Sequence, residues 1–535
     1  MDKVKKARWG SRNTIFLVLV GIYCLYAGIF IARTSFVVDG ERYFTLLDDA
    51  MISMRYAKNL VEGHGLVFNP GGDKVEGFTN PLWVLYMALF HLLPIAQSKI
   101  SIFIQISGAI FGLINLFLVK KLSDLMFNNS LASLSAVALA AFYLPLNNWN
   151  LQGMEVSVLA VIITAAGLMA LRCIQKRESS IWLFVLLGIS ILIRIDMMVP
   201  SIILFGFLLK VQPRQRRDNL KYGVIILGLF LASQTLFRLW YFDDLLPNTY
   251  YLKMTGYPVH LRIARGLYVF FEFVTRMYWI PFLIPFGVLL FRRGRGIMLL
   301  TLLFSAQIAY SIYVGGDVWE WWGGSNRFIS IVMPLFFILY GYAITEIGSI
   351  ISRKFKPGNV SVSRIAKLST GILLSISLVV FNSIRGPDAL ADWLLINPPL
   401  HVIDNINMVE RARLVTEITR PQASIAVTWA GAIPYFSNRY TVDLLGKNDR
   451  RIAREEVRMV PSVAKYTDFL PGHMKRNYAY SIGVLKPDVI VQLWKSAAEA
   501  GDRLRADYEV VRFGKFIFSL RRGSPMILWN KVQKP

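Results

Sequence analysis

The sequence predicts a polytopic α-helical membrane protein with about eleven transmembrane helices and a small external α/β domain at its C-terminal end. Three observations carry this. The apolar residues, 55% of the 535, gather into runs of roughly 15 to 25, the length of helix that crosses a bilayer. The basic residues concentrate in the short connections between those runs. The segment from about residue 383 onward contains no run long enough to span and has the pattern of a soluble domain.

The runs lie near 14–33, 81–96, 100–119, 131–147, 154–171, 180–194, 197–210, 221–240, 267–291, 297–314, 328–350 and 365–382. The first follows a basic stretch but lacks a small-residue cleavage site, so it reads as a retained helix and not as a signal peptide. Lys3, Lys5, Lys6, Arg8 and Arg12 place the N-terminus in the cytoplasm. The other basic connections are Lys120/Lys121, Arg172–Arg177, Lys210–Lys221, Arg292–Arg295 and Arg353–Lys356. All of them fall on the cytoplasmic side only if 81–96 does not cross. That run is short, lies between Pro81 and Pro94, and carries Trp83, Tyr86, Phe90 and His91, as an interfacial or re-entrant helix would.

This topology makes residues 1–382 the transmembrane part, with a first external loop at 34–99, and 383–535 an external domain. In the latter, SIAVTWA (424–430), YTVDLL (440–445) and KPDVIVQL (486–493) read as strands alternating with helices, and YEVVRFGKFIFSLRR (508–522) as a hairpin around Gly514. The net charge of +25 is accounted for by cytoplasmic loops and by surfaces facing anionic headgroups, so nucleic acid is not an expected partner. Cys24 and Cys173 imply no disulfide framework, and the five histidines show no zinc-binding spacing.

The external loops hold the polar sequence. Asp48 and Asp49 begin an amphipathic helix in which Ala50, Met54, Ala57 and Val61 share a face. Taken alone, the two acids could be an N-cap and a dipole-complementing residue. Two adjacent carboxylates beside hydrocarbon also mark a candidate reaction centre. Glu155 stands at the outer end of a helix, and Arg194 with Asp196 interrupts apolar sequence, where an ion pair and a substrate role are both open. YFDDLLPNTYYLKM supplies Asp244, Asn248 and Lys253, and YVGGDVWEWWGGSNRF supplies Asp317, Trp319, Trp322 and Arg327. The tryptophans suit an aromatic belt or a sugar face.

DDAMISMRYAKNLVEGHGLVFNPG with VEGFTNPLW resembles the first loop of GT-C superfamily membrane glycosyltransferases. QGMEV, the R-x-D at 194–196, LPNTYYLK, GGD followed by RF, and AGAIPYFSNRYTVDLLGKND add to the resemblance in order along nearly the whole chain. The pattern is most similar to the group containing the mycobacterial terminal arabinofuranosyltransferases, and more distantly to the aminoarabinose and protein O-mannosyl transferases. The resemblance implies an inverting transfer from a polyprenyl-phosphate sugar to a glycan, lipid or protein acceptor of the cell envelope, on the external face of a bacterial inner membrane. Asp48 or Asp49 then inherits the base, because displacement at an anomeric carbon needs an acceptor for the attacking hydroxyl's proton. Arg55, Arg194, Lys253 and Arg327 are the external cations available to the leaving phosphate. Glu155, Asp196, Asp244, Asn248, Asp317, Trp319 and Trp322 remain as substrate contacts. Metal dependence is open: the acid pair could hold a divalent cation, yet a monoanionic phosphodiester donor does not require one. A flippase or transporter is the rival reading, but the sequence shows no internal repeat.

Overall fold

Helices dominate because the apolar runs can satisfy their backbone polar groups only internally. The computed structural model describes residues 2–318, 320, 326–354, 362–383, 388–457, 466–494 and 500–532. In chain order it contains α1 (Asp2–Thr34), β1 (Phe36–Val38), β2 (Glu41–Tyr43), α2 (Asp48–Val61), α3 (Pro81–His91) and α4 (Gln97–Phe127). There follow α5 (Ser130–Phe142), α6 (Leu144–Leu151), α7 (Val156–Lys176), α8 (Ile181–Ile193), α9 (Met198–Val211), α10 (Arg216–Tyr222) and α11 (Gly228–Phe242). Next come α12 (Asn248–Met254), α13 (Val259–Arg276), α14 (Trp279–Phe291), α15 (Arg295–Val314), α16 (Arg327–Ser330), α17 (Met333–Lys354) and α18 (Val362–Asn382). The remainder is α19 (Ala389–Trp393), α20 (Val402–Ile418), β3 (Ser424–Val427), α21 (Ala432–Ser437), β4 (Tyr440–Asp443), α22 (Arg450–Arg454), α23 (Tyr478–Ser481), β5 (Val489–Ile490), α24 (Gly501–Asp507), β6 (Tyr508–Phe513) and β7 (Phe516–Arg521).

Among the described residues, 7 helices are long and apolar enough to cross a membrane, or up to 9 if each of two bent pairs is one span. The bent pairs are α5 with α6, at 55°, and α13 with α14, at 93°. The eleven spans expected from hydropathy are more than this count, because several apolar runs fold as short or broken helices. α3 has 11 residues, about 16 Å at 1.5 Å per residue, too short to cross the hydrocarbon.

The chain divides into two compact units. One comprises residues 1–33, 105–231 and 263–400. Its core is aromatic: Phe336 on α17 lies 5.3 Å from Phe304 and 5.9 Å from Phe282, ring centre to ring centre. α17 also packs tightly on α5. A Cβ on Gly341 would lie 2.7 Å from the Ala132 carbonyl oxygen, so only glycine allows this approach.

The other unit comprises residues 34–104, 232–262 and 401–535. The first loop thus shares a compact body with the C-terminal segment, where the sequence placed it with the membrane part. Its sheet has the order β4-β3-β5-β7-β6. β3 runs parallel to β4 and β5, while β7 is antiparallel to β5 and β6. The expected hairpin is present, with Phe513 opposite Phe516 and Gly514 at φ +56 in the turn. Ala426, Val442, Ile490, Leu504 and Tyr508 form part of the core on this sheet. Asn69 joins the first loop to it by donating to the Thr441 carbonyl and accepting from the Thr441 amide, 2.9 Å each, which extends the pairing of β4.

Candidate active site

α2 starts at Asp48, and its N-cap position is Leu47, which offers no capping side chain. The Asp48 carboxylate does not cap its own helix. Its Oδ1 instead accepts from the amides of Gly431 (3.1 Å) and Ala432 (3.0 Å), where α21 begins. This approach depends on glycine: a Cβ on Gly431 would lie 2.0 Å from the Asp48 carbonyl oxygen and 2.6 Å from Oδ1. Burial raises the Asp48 pKa to about 6, against the opposing pull of Lys447 and the Ala432 amide. Oδ2 has no hydrogen bond among the described residues.

Asp49 is held differently. Its Oδ1 is 2.5 Å from the Lys447 ammonium. Burial lowers the Lys447 pKa, but Asp49, Asp48 and Asp443 outweigh it and the net shift is upward, so the lysine stays charged. The loop carrying Lys447 is fixed from both sides. Asp443, at the end of β4, accepts from the amides of Leu445 (3.0 Å) and Asn448 (2.9 Å). The Asn248 amide donates to the carbonyls of Gly446 (3.0 Å) and Lys447 (2.9 Å). His473 lies in the same field. Burial, then Lys447 and Lys253, lower its pKa to about 3, so it is neutral, and its Nδ1 lies 3.3 Å from the Pro471 carbonyl. The Lys253 stem runs along Gly472.

Arg55 was expected near the leaving phosphate. Its guanidinium is buried and donates to the carbonyls of Phe68 (2.6 Å), Pro434 and Arg439 (2.9 Å) and to Asn69 Oδ1 (3.0 Å). Those bonds tie α2 to the loop after it and to α21. Asp244 pairs with Arg454 (2.5 Å) and Arg450 (3.3 Å). Glu76 pairs with Arg238 at 2.7 Å.

The remaining expected residues lie in the other unit. Arg194 ends α8 in extended backbone, grips both oxygens of Asp196 (2.9 Å each) and reaches Glu155 at 2.9 Å. Arg327 grips both oxygens of Asp317, at 2.7 and 2.9 Å. Both guanidiniums are thus committed to carboxylates, and the ion pair left open for Arg194 and Asp196 is formed. Close in sequence to Glu155, the buried Asn148 has neither side-chain atom hydrogen-bonded among the described residues, nor has Asn150 Oδ1. Trp319 and Trp322 lie outside the described residues.

No group of three or more His, Cys, Asp or Glu residues is arranged to hold a metal among the described residues. At the acid pair the positive charge comes from Lys447. Neither Lys447 nor His473 was picked out from the sequence. Lys447 sits in the LLGKND stretch that carried the resemblance, which was its available signal, whereas His473 had none because its neighbours are distant in sequence.

Residues 401–529 match a family model described as a domain of unknown function (DUF8728). No curated protein sequence matches the chain. ArnT from Cupriavidus metallidurans bound to undecaprenyl phosphate is similar in structure, with a TM-score of 0.55 and 11% identity, over 95% of this chain and 98% of that one. The apo state of the same protein gives 0.52 and 10% identity over the same shares. An oligosaccharyltransferase from Archaeoglobus fulgidus in the apo form gives 0.49 and 11%, over 81% of this chain and 64% of that one. From its helical membrane part, its C-terminal sheet and the end-to-end match with ArnT, this chain has the GT-C fold.

Proposed function

We propose that the chain is an inverting glycosyltransferase that moves a sugar from a polyprenyl-phosphate donor to a cell-envelope acceptor, with Asp48 as the base. The observation that carries the reading is the unequal treatment of two adjacent carboxylates. Asp49 is neutralised by Lys447, while the buried Asp48 keeps one oxygen without a hydrogen bond among the described residues and has its pKa raised to about 6, near the working range of a general base. In the reaction, the acceptor hydroxyl oxygen bonds to the anomeric carbon and its proton passes to Asp48 Oδ2. The bond from that carbon to the phosphate oxygen breaks, and its electron pair leaves with the polyprenyl phosphate. The phosphate gains negative charge in this step, so fixed cations assist it. Lys253 fills this role, while Lys447 is committed to Asp49 and Arg55, Arg194 and Arg327 are assigned to holding structure. The fold match to a protein bound to undecaprenyl phosphate supports a donor of this lipid class. The basic connections support a cytoplasmic N-terminus and an external site.

The test is transfer from a panel of polyprenyl-phosphate pentoses and hexoses by wild type, Asp48→Asn and Asp49→Asn, with donor retention followed by native mass spectrometry. Asp48→Asn should cut turnover by about 10²- to 10⁴-fold with donor still bound. Near-normal turnover in Asp48→Asn, or movement of intact donor across vesicles without transfer, overturns the reading.

A further inference from the structure

A cavity of about 570 Å³ opens in the unit formed by residues 1–33, 105–231 and 263–400, where α4 and α7 end and α15 begins. Arg177, Arg292, Arg293 and Arg295 line it, and no carboxylate does. Apart from Gln175 and two glycines, its other walls are apolar or aromatic, including Leu171, Ile297, and Phe127 stacked on Tyr342 at 3.9 Å. One acid, Glu346, reaches Tyr342, which also meets Arg292, so the arginines outnumber the nearby acid. Among the described residues, no ion pair engages the side chains of Arg177, Arg293 or Arg295. Excess basic charge on a loop needs no cavity to satisfy the positive-inside rule, since loop arginines can extend into water. Here the arginines, although exposed, line the same recess as Leu125, Met126, Leu171 and Ile174.

We infer that this cavity binds the phosphate headgroup of an anionic membrane phospholipid. Guanidinium groups pair with phosphate oxygens through two parallel N–H bonds, and several around one recess give that pairing depth as well as charge. The apolar part of the lining suits the glycerol backbone and the first methylenes of the acyl chains, which free phosphate would leave uncovered. Basic pockets at the ends of membrane helices bind lipid headgroups by this combination. The site does not depend on the glycosyl-transfer reading, because none of its residues belongs to the acid-pair site.

The test uses the full chain in a nonionic detergent and measures thermal midpoint and lipid retention by native mass spectrometry. Dioleoyl phosphatidylglycerol, dioleoyl phosphatidylcholine and inorganic phosphate are added separately, to wild type and to the triple variant Arg292→Ala/Arg293→Ala/Arg295→Ala. Phosphatidylglycerol should raise the wild-type midpoint by several degrees and remain bound, with at most a small shift from phosphatidylcholine. The triple variant should lose the difference, and the corresponding triple lysine variant should keep part of it. Equal shifts from both lipids in wild type overturn the inference even if the triple variant does not fold. A full phosphatidylglycerol shift in a folded triple variant also overturns it, as does a full shift from inorganic phosphate alone.

Discussion

Asp48 is placed so that its folded pKa, about 6, exceeds the ordinary carboxyl value of 3.8. The folded state therefore holds the proton more tightly than the unfolded state. Between these two values, stability falls as pH rises, and the loss is complete above about 6. Asp48→Asn removes that loss while keeping an oxygen to accept from Gly431 and Ala432. The variant should be more stable than wild type at pH 7.5, by on the order of 2 kcal/mol, while losing turnover. Thermal melts at pH 4 and pH 7.5 check this, since the gain should shrink at the lower pH. The rate should follow the opposite course in wild type, rising with pH to a plateau above about 6 as the base deprotonates. Asn148 offers a second residue-scale test. A buried carboxamide without partners costs stability, so Asn148→Leu should raise the melting free energy by about 1 kcal/mol or more. Unchanged or lower stability would show that the amide is satisfied by a group the protein carries in solution.

At the scale of elements, the N-terminus of α2 and that of α21 meet at one carboxylate, and a single glycine sets their distance. Gly431→Ala places a methyl group within 2.0 Å of the Asp48 carbonyl oxygen, so one of the two helix starts must move. The expected outcome is transfer reduced at least as far as in Asp48→Asn, accompanied by a lower melting temperature that Asp48→Asn does not show. Arg55 gives α2 its second anchor. Removing its guanidinium takes one donor from each of the Phe68, Pro434 and Arg439 carbonyls, which keep the Asn59 side chain, the Asn438 amide and the Thr441 hydroxyl as donors, and each lost bond to the charged group costs about 1.5 to 3 kcal/mol. Arg55→Lys cannot reproduce the planar fork and should destabilise nearly as much as Arg55→Ala. A folded, stable Arg55→Lys protein with impaired donor binding would restore Arg55 to the phosphate.

At the scale of the whole molecule, one compact unit is assembled from residues 34–104, 232–262 and 401–535. The C-terminal segment expressed alone, as 383–535, would leave Arg439 and Thr441 without Arg55 and Asn69. It should show no cooperative thermal transition and should bind a hydrophobic dye, whereas the full chain unfolds cooperatively in this region by hydrogen exchange. Reporter fusions should place Lys121 in the cytoplasm and Pro535 outside, because the basic connections fall on the cytoplasmic side only when α3 does not cross. Lys121 outside with Pro535 inside would make α3 a span and overturn the assignment of the site to the external face.

The sequence by itself determined the class of molecule. Runs of apolar residues leave the backbone no choice but helix in a bilayer, and the alternating pieces around 424–522 fold as strands because the period-two pattern matches a half-buried sheet. It also singled out Asp48 and Asp49, since paired acids at the start of an amphipathic helix are visible locally. Only the tertiary structure decided what each acid contacts. Asp48 is distinguished from Asp49 by two amides more than 380 positions away, and Asp49 is neutralised by a lysine at a similar remove. Arg55, Arg194 and Arg327 were all candidates for the leaving phosphate in sequence, with an Asp196 pair also open for Arg194, yet their partners are set by where the backbone turns. A charge pattern read along the chain records which groups are present, whereas burial and pairing depend on contacts that folding alone creates.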